Sequence, residues 1–220
     1  LCEGGLRDSL LKSDILVKGA TYGDNIGQNT DILDWPSKFK NEMDQILRFK
    51  AHPNIYYSDS QNNEIVMFKS CFNNSNIELN KKGTNRDNKT KKSIANYKDA
   101  FNSIKDEIRK YPQKLFIYVT SPPLVEEATS NENAARARGF NDWVINQFLT
   151  QYRKETGLNN LVIFDLFGIL ADRNNFLREE YRTNRSGDSH PNAIANKEAA
   201  EEFMEFFRPI WENWKGRKTD

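Results

Sequence analysis

The chain has 220 residues, 37% of them hydrophobic and 12% aromatic, which is enough to build the core of one domain without disulfides or metals. Its 32 Lys and Arg residues nearly balance 31 Asp and Glu residues. The resulting net charge of +1 disfavours dedicated binding of nucleic acid or of an anionic membrane surface. No apolar run reaches the length of a membrane span, so we predict a soluble chain that forms a single domain over residues 1–220.

Residues able to bind a metal are few. Cys2 and Cys71 are the only cysteines, and His52 and His190 are the only histidines. A metalloenzyme built on these types is not expected, because they supply neither a disulfide framework nor the usual ligands of a zinc site. The cysteine count leaves the compartment open, since one disulfide fits an oxidising environment and two free thiols fit a reducing one.

Apolar patterns predict the elements in chain order. Leu6 and Leu10 have helical spacing, and longer helical stripes cover residues 35–49, 94–111, 134–152 and 193–211. Short continuous apolar runs, typical of strands covered on both faces, occur at 15–17, 65–68, 115–119 and 161–164. The segment 80–92 is rich in Lys and Asn, has no large apolar residue, and is predicted to be a solvated loop.

Strand and helix therefore alternate. This favours a three-layer α/β/α domain with a parallel sheet of about five strands joined by right-handed crossovers. In such a domain a helix near Leu6 follows a strand, so we expect a first strand that precedes Leu1. Ligands of open parallel sheets bind at the carboxyl ends of the strands, and the residues that follow each strand are the candidates for a site.

Asp188 and His190 carry the strongest indication of chemistry. They lie in a polar loop before the last predicted helix, where a carboxylate can fix the tautomer of an imidazole and stabilise its protonated form. A general base for an alcohol nucleophile needs this pairing. The alternative is a helix start, with Asp188 or Ser189 as the N-cap. His52 is interpreted as a residue at a helix end or turn.

Polar residues after two other predicted strands complete the set of candidates. Ser70 lies beyond strand 65–68 beside Asn73 and Asn74, whose side-chain amides can donate hydrogen bonds to a developing oxyanion. Gly27 lets a backbone N–H approach the same oxyanion. The alternative is that serine, asparagine and glycine serve here as ordinary loop residues.

The order of these motifs resembles one bacterial branch of the SGNH, or GDSL-type, hydrolase superfamily. The resemblance spans nearly the whole chain and depends on the order and spacing of short motifs. These are YGDNIGQNTD with DWP at 22–36, MFKSCFNNS at 67–75, FIYVTSPPL at 116–124, FDLF at 164–167 and DSHPN at 188–192.

This resemblance implies a flavodoxin-like sandwich and a serine esterase that cleaves O-acyl esters, often acetyl groups on carbohydrate, with no metal or organic cofactor. Carried over by position, His190 is the base, Asp188 its partner, Asn74 the oxyanion-hole amide and Gly27 the oxyanion-hole glycine. The implied partner is a small-molecule or carbohydrate ester. Relatives that act on carbohydrate are often exported, in which case a signal peptide would precede Leu1.

The chain departs from the family pattern in three places. The family's nucleophilic serine ends a strand directly before the first helix, so it is expected upstream of Leu1. A variant of the hypothesis makes Ser70 the nucleophile. One residue instead of two separates Asp188 from His190, and Asn73 stands where this branch has proline, so the choice of amide donor between it and its neighbour stays open.

The competing hypothesis is a non-catalytic carbohydrate-binding or scaffold domain on the same fold. Tyr22, Trp35 and Trp143 would then offer stacking surfaces, although aromatic residues at such positions usually belong to the core. A nucleotide-binding flavodoxin-like protein is disfavoured, because no Gly-rich phosphate loop joins a strand to a helix. The acyl group, the alcohol and the oligomeric state are not legible from the sequence.

Overall fold

A computed structural model of the protein describes residues 5–13, 15–17, 24–58, 60–79 and 90–216. The sequence predictions that concern Cys2, Tyr22 and residues 80–89 lie outside these ranges. Helices surround a parallel sheet in the described residues, as the alternation of patterns predicts.

The described residues form seven α-helices and five strands. They are α1 (Leu6–Leu11), α2 (Trp35–Arg48), β1 (Phe49–Ala51), β2 (Ile55–Tyr56), β3 (Ile65–Lys69), α3 (Ile94–Ile108), β4 (Leu115–Val119), α4 (Asn131–Asp142), α5 (Leu149–Thr156), β5 (Leu161–Phe164), α6 (Leu166–Leu170) and α7 (Ala193–Gly216). A π-helical stretch, Trp143–Phe148, joins α4 to α5.

The central sheet is parallel, with β4 between β3 and β5. Ile65 pairs with Leu115 across β3 and β4, and Phe116 pairs with Leu161 across β4 and β5. In this register all three carboxyl ends lie at the same edge of the sheet. β1 and β2 form a separate antiparallel hairpin directly after α2.

Both faces of the sheet are covered, because successive side chains of a strand point in opposite directions. Phe116 and Tyr118 of β4 join a core with residues of α2, α3 and α4. Ile117 and Val119 of the same strand join a second core with residues of α1 and α7. Helices therefore pack on each face, and the architecture is the predicted three-layer α/β/α arrangement.

Serine and aspartate caps begin several helices where the sequence changes from loop to helix. The side chain of Ser93 accepts a hydrogen bond from the Asn96 backbone at the start of α3, and that of Ser130 accepts one from Asn133 at the start of α4. These caps satisfy N–H groups that have no partner within the helix.

The long helices and the three parallel strands are confirmed, with ends displaced by a few residues. The strand predicted at 15–17 is not observed, since these residues belong to no strand, although Ile15 and Val17 pack against the second core. The hairpin β1–β2 and the short helix α6 had no counterpart in the prediction, because segments of two to five residues show no periodic pattern. None of the described helices is long and apolar enough to cross a membrane.

Candidate functional site

The loop that carries His190 docks on the carboxyl edge of the sheet. Ser189 is buried, and its Oγ accepts a hydrogen bond of 3.1 Å from the backbone of Val125, in the segment after β4. The imidazole of His190 contacts the ring of Phe72, in the 3-10 turn Phe72–Ser75 that follows β3. The sequence predicts that a site forms where the carboxyl ends of the strands meet. These two contacts bring the His190 loop to the segments that follow β3 and β4.

Asp188 holds the His190 imidazole in a defined orientation. Its Oδ1 lies 2.6 Å from His190 Nδ1 and accepts a hydrogen bond of 3.0 Å from the His190 backbone. Its Oδ2 accepts one of 2.9 Å from the hydroxyl of Thr183. These bonds lower the pKa of Asp188 to about 2. The largest effect comes from the hydrogen bond of the His190 backbone, followed by those of the His190 ring and the Thr183 hydroxyl.

The alternative of a helix cap does not describe this loop. Helix α7 begins at Ala193, and its cap is Asn192, whose side-chain oxygen accepts a hydrogen bond of 3.0 Å from the backbone of Ala195. Asp188 and Ser189 therefore do not cap the helix. The carboxylate instead pairs with the imidazole, and the serine anchors the loop.

His190 is well placed to exchange protons with a bound molecule. Its side chain is 67% exposed, whereas that of Asp188 is 20% exposed. With a proton on Nδ1 donated to the carboxylate, Nε2 is the ring atom that is left to accept one. The pair can therefore act as a general base at the surface of the sheet edge.

Asn74 is buried and its amide is fully engaged. Its Oδ1 accepts hydrogen bonds from the backbone of Ile32, at 3.0 Å, and from the hydroxyl of Tyr97, at 3.3 Å. Its Nδ2 donates to three acceptors: Asp31 Oδ1 at 2.7 Å, Asn73 Oδ1 at 2.9 Å and the carbonyl oxygen of Cys71 at 3.2 Å. The side chain is thus held in one orientation, and an oxyanion would have to replace one of the acceptors now at Nδ2.

The acceptor that can leave most easily is the side chain of Asn73. This residue is exposed, whereas Asp31 is half-buried and lies 3.4 Å from the ammonium group of Lys92. Tyr97 stays a neutral donor to Asn74, because burial, with the charge of Asp31 adding to it, raises the pKa of its hydroxyl well above the ordinary value. Neither Asp31 nor Tyr97 was predicted as a site residue. Asp31 ends the first quoted motif but was given no role, and Tyr97 lies within α3.

Ser70 is completely buried, and its hydroxyl accepts a hydrogen bond of 3.0 Å from the indole of Trp35. This bond ties the start of α2 to the end of β3. Trp35 is itself buried and packs edge-on against Phe39 and Phe68, so it is a core residue and not a stacking surface for carbohydrate. Trp143 is half-buried and stacks on Phe140.

Gly27 belongs to a neighbouring group of polar residues. Its backbone N–H donates a hydrogen bond of 3.0 Å to the carbonyl of Asp24, in the 3-10 turn Asn25–Gly27. The carboxylate of Asp24 is fully buried and lies 2.7 Å from His52 Nδ1. It also accepts a hydrogen bond from the backbone of Asn54. His52 is a turn residue, as predicted, and it forms a second imidazole–carboxylate pair that the sequence analysis missed.

A partly buried polar network lies at the carboxyl ends of β4 and β5. Thr120, directly after β4, donates to Asp165 Oδ1 at 3.1 Å and accepts from the backbone of Phe167 at 2.8 Å. Asp165 also caps α6 by accepting from the backbone of Gly168 at 2.9 Å, and Arg138 lies 3.4 Å from its other oxygen. These groups satisfy one another, so they hold the ends of β4 and β5 together.

A concavity of about 600 Å³ lies beside the end of β5, between Asp165 and the acidic residues Glu198, Glu202 and Glu205 of α7. His190 is not among the described residues that line it. The imidazole of His190 is instead exposed to solvent. In the described part of the chain, no group of three or more His, Cys, Asp or Glu residues could hold a metal ion.

No family model matches this chain, and no curated protein matches it. A solved structure from Streptococcus pneumoniae, described as that of a proposed platelet activating factor, is similar with a TM-score of 0.36 and 15% sequence identity. The likeness covers 50% of this chain and 50% of that chain, so this chain spans about half the length of the known structure.

Proposed function

We propose that this protein is a serine-type hydrolase that cleaves O-acyl esters, with acetyl esters of carbohydrate as the favoured substrate class. His190 serves as the general base, Asp188 orients it, and Asn74 donates a hydrogen bond to the oxyanion. Gly27 is the second donor of the proposal, once its N–H leaves the carbonyl of Asp24. The single observation that carries the proposal is the hydrogen bond of 2.6 Å between Asp188 and the exposed imidazole of His190, at the carboxyl edge of the sheet.

The reaction follows from these roles. A serine hydroxyl attacks the ester carbonyl while its proton passes to His190 Nε2, and the electron pair of the carbonyl moves to the oxygen. Collapse of this intermediate breaks the ester bond, and the leaving alkoxide takes the proton from the imidazolium. Water then hydrolyses the acyl-serine by the same steps, which regenerates the serine and releases the acid.

We further propose that the nucleophile is a serine upstream of Leu1, at the end of a strand that pairs with β3. Ser70 is disfavoured, because it is fully buried and its hydroxyl is bonded to Trp35. In the described residues β3 pairs only with β4, so its other edge presents backbone groups to which a further strand can bond. Phe72 follows the carboxyl end of β3 and contacts His190, so a serine at the end of a parallel strand beside β3 would lie near the base.

One observation favours the competing reading of a non-catalytic binding domain. Nδ2 of Asn74 already lies within hydrogen-bond distance of Asp31, Asn73 and the Cys71 carbonyl, so the amide donates to an oxyanion only after acceptors around it move. A domain that keeps the polar edge but lacks the chemistry would retain these contacts permanently. The two readings differ in whether a reactive serine is present.

The experiment treats the purified chain, with and without its natural upstream residues, with a fluorophosphonate probe and locates the adduct by peptide mass spectrometry. His190→Ala removes the proposed base. His52→Ala is the matched control, because it removes the other imidazole that is paired with an aspartate.

Three results are distinguishable. An adduct on an upstream serine that disappears in His190→Ala and persists in His52→Ala supports the proposal. An adduct on Ser70 would overturn the placement of the nucleophile and make Ser70 the reactive residue. No adduct in either form of the chain would overturn the esterase function and favour the binding domain.

A further inference from the structure

Phe72 connects the two halves of the proposed site. Its ring lies 4.8 Å from the imidazole of His190, measured between ring centroids, with the two planes at 86°. The same residue opens the 3-10 turn Phe72–Ser75, on which Asn74 lies two residues further along. The residue whose side chain contacts the base thus also begins the turn that carries the amide donor.

The position of a reacting ester follows from the proposed roles of these groups. The carbonyl carbon must lie within about 3–3.5 Å of the nucleophile, which in turn must be within hydrogen-bond reach of His190 Nε2. The carbonyl oxygen must point at Asn74. The carbon therefore lies over the turn between these two residues, next to the ring of Phe72.

The alcohol portion and the acyl chain of the ester extend from that carbon in different directions. The leaving alkoxide has to take its proton from His190, whose side chain is 67% exposed, so the alcohol portion extends along the open surface. The acyl chain is directed the other way, towards the turn. There it meets Phe72, which is half-buried, and the rest of the turn, in which Asn73 is exposed and Asn74 and Ser75 are buried.

We infer that Phe72 is a specificity-determining residue, which limits the acyl chain of the substrate to a short group such as acetyl. This inference rests on the proposed esterase function. The ring also packs against the imidazole that Asp188 holds through Nδ1, so both contacts restrict the position of the base.

The test compares p-nitrophenyl acetate, butyrate and hexanoate as substrates of the chain with its natural upstream residues. Phe72→Ala opens the space beside His190, and Phe72→Leu keeps an apolar side chain of smaller size. Phe206→Ala is the control. Phe206 is also a half-buried phenylalanine, but it belongs to α7 and packs against Phe164 of β5. Circular dichroism checks that each variant is folded.

We expect Phe72→Ala to raise the ratio of kcat/KM for butyrate to that for acetate by about tenfold or more, since a few methylene groups change discrimination by such factors. Phe72→Leu should give an intermediate ratio, and Phe206→Ala the ratio of the unsubstituted chain. The ratio is insensitive to a uniform loss of active protein, so a partly unfolded sample does not mimic the effect.

Other outcomes overturn the inference in recognisable ways. An unchanged acyl ratio in an active Phe72→Ala enzyme refutes the role of Phe72 and leaves the esterase function standing. A change that appears only when the alcohol is varied, in phenyl acetate against naphthyl acetate, assigns the ring to the other side of the ester. A chain that neither hydrolyses esters nor reacts with the fluorophosphonate removes both proposals together.

Discussion

Asp188 Oδ1 bonds both the ring Nδ1 and the backbone nitrogen of His190, at 2.6 and 3.0 Å, although only one residue separates the two. A carboxylate that accepts from the backbone two residues on forms an Asx-turn, and this turn brings the imidazole back over the aspartate. A separation of one residue between Asp188 and His190 is therefore compatible with a pairing of this kind.

The first prediction concerns the dependence of stability on pH. The pKa of Asp188 in the folded chain is about 2, below its ordinary value of 3.8, so the folded state favours the ionised carboxylate. Its stabilising contribution is fully present above about pH 4 and is lost as the pH falls towards 2. Urea unfolding of Asp188→Asn should therefore show a loss of stability that is constant above about pH 4 and shrinks below it.

The control for this prediction is Asp99→Asn, at an exposed position of α3. Its unfolding free energy should stay within about 0.5 kcal/mol of that of the unsubstituted chain. A loss in Asp188→Asn that does not diminish between pH 4 and pH 2 would contradict the assigned hydrogen bonds.

The second prediction separates Asn74 from its neighbour. Asn74→Ala leaves the buried N–H of Ile32 without its acceptor, which should cost about 1–3 kcal/mol of stability. Loss of an oxyanion donor should lower kcat by about 10²–10³-fold in the folded fraction. Asn73→Ala, at an exposed position, should change the free energy of unfolding by less than about 0.5 kcal/mol.

Kinetics on samples of equal folded content decide between the two amides. A loss of kcat in Asn73→Ala that equals or exceeds the loss in Asn74→Ala would identify Asn73 as the donor.

The third prediction concerns a close approach at the start of α6. A Cβ on Gly168 would lie 2.2 Å from Oδ2 and 2.9 Å from Cγ of Asp165, whose carboxylate is fixed by its capping bonds. Gly168→Ala should therefore destabilise the chain by about 1–3 kcal/mol in thermal or urea unfolding.

Gly139 provides the opposite case. It lies within α4, and a Cβ there would meet no atom within 4 Å. Gly139→Ala should stabilise the chain by about 0.5–1 kcal/mol, because alanine loses less conformational freedom in a helix. Equal effects of the two substitutions would show that the contact with Asp165 is not formed in solution.

The fourth prediction tests the hydroxyl that joins β4 to β5. Thr120→Val keeps the shape of the side chain but removes the acceptor of the buried Phe167 N–H and the donor to Asp165. We expect a loss of about 1–3 kcal/mol in the free energy of unfolding. Thr150→Val, on the exposed side of α5, should cost less than about 1 kcal/mol, so a comparable loss there would indicate a general cost of the substitution.

Sequence patterns located the elements that are long or continuously apolar. Phe116 and Tyr118 face one core while Ile117 and Val119 face the other, and this is why β4 reads as an unbroken apolar run. The segment 15–17 has the same local character but forms no strand, because pairing depends on a neighbouring strand and not on the segment alone.

The pairing of Asp188 with His190 was accessible to sequence reasoning because two residues so close in the chain are also close in space. Contacts between residues far apart in the chain were not. Tyr97 and Asp31 reach Asn74, Trp35 reaches Ser70, and Asp24 reaches His52 only after the helices have packed on the sheet.

The sequence by itself thus determines pairings within a loop, because residue types and short spacings constrain the backbone directly. The accessibility of each group is decided by packing. The same packing buries Ser70, engages the amide of Asn74 and brings Phe72 against His190, because side chains from separate elements compete for the same hydrogen-bonding atoms and the same space at the sheet edge.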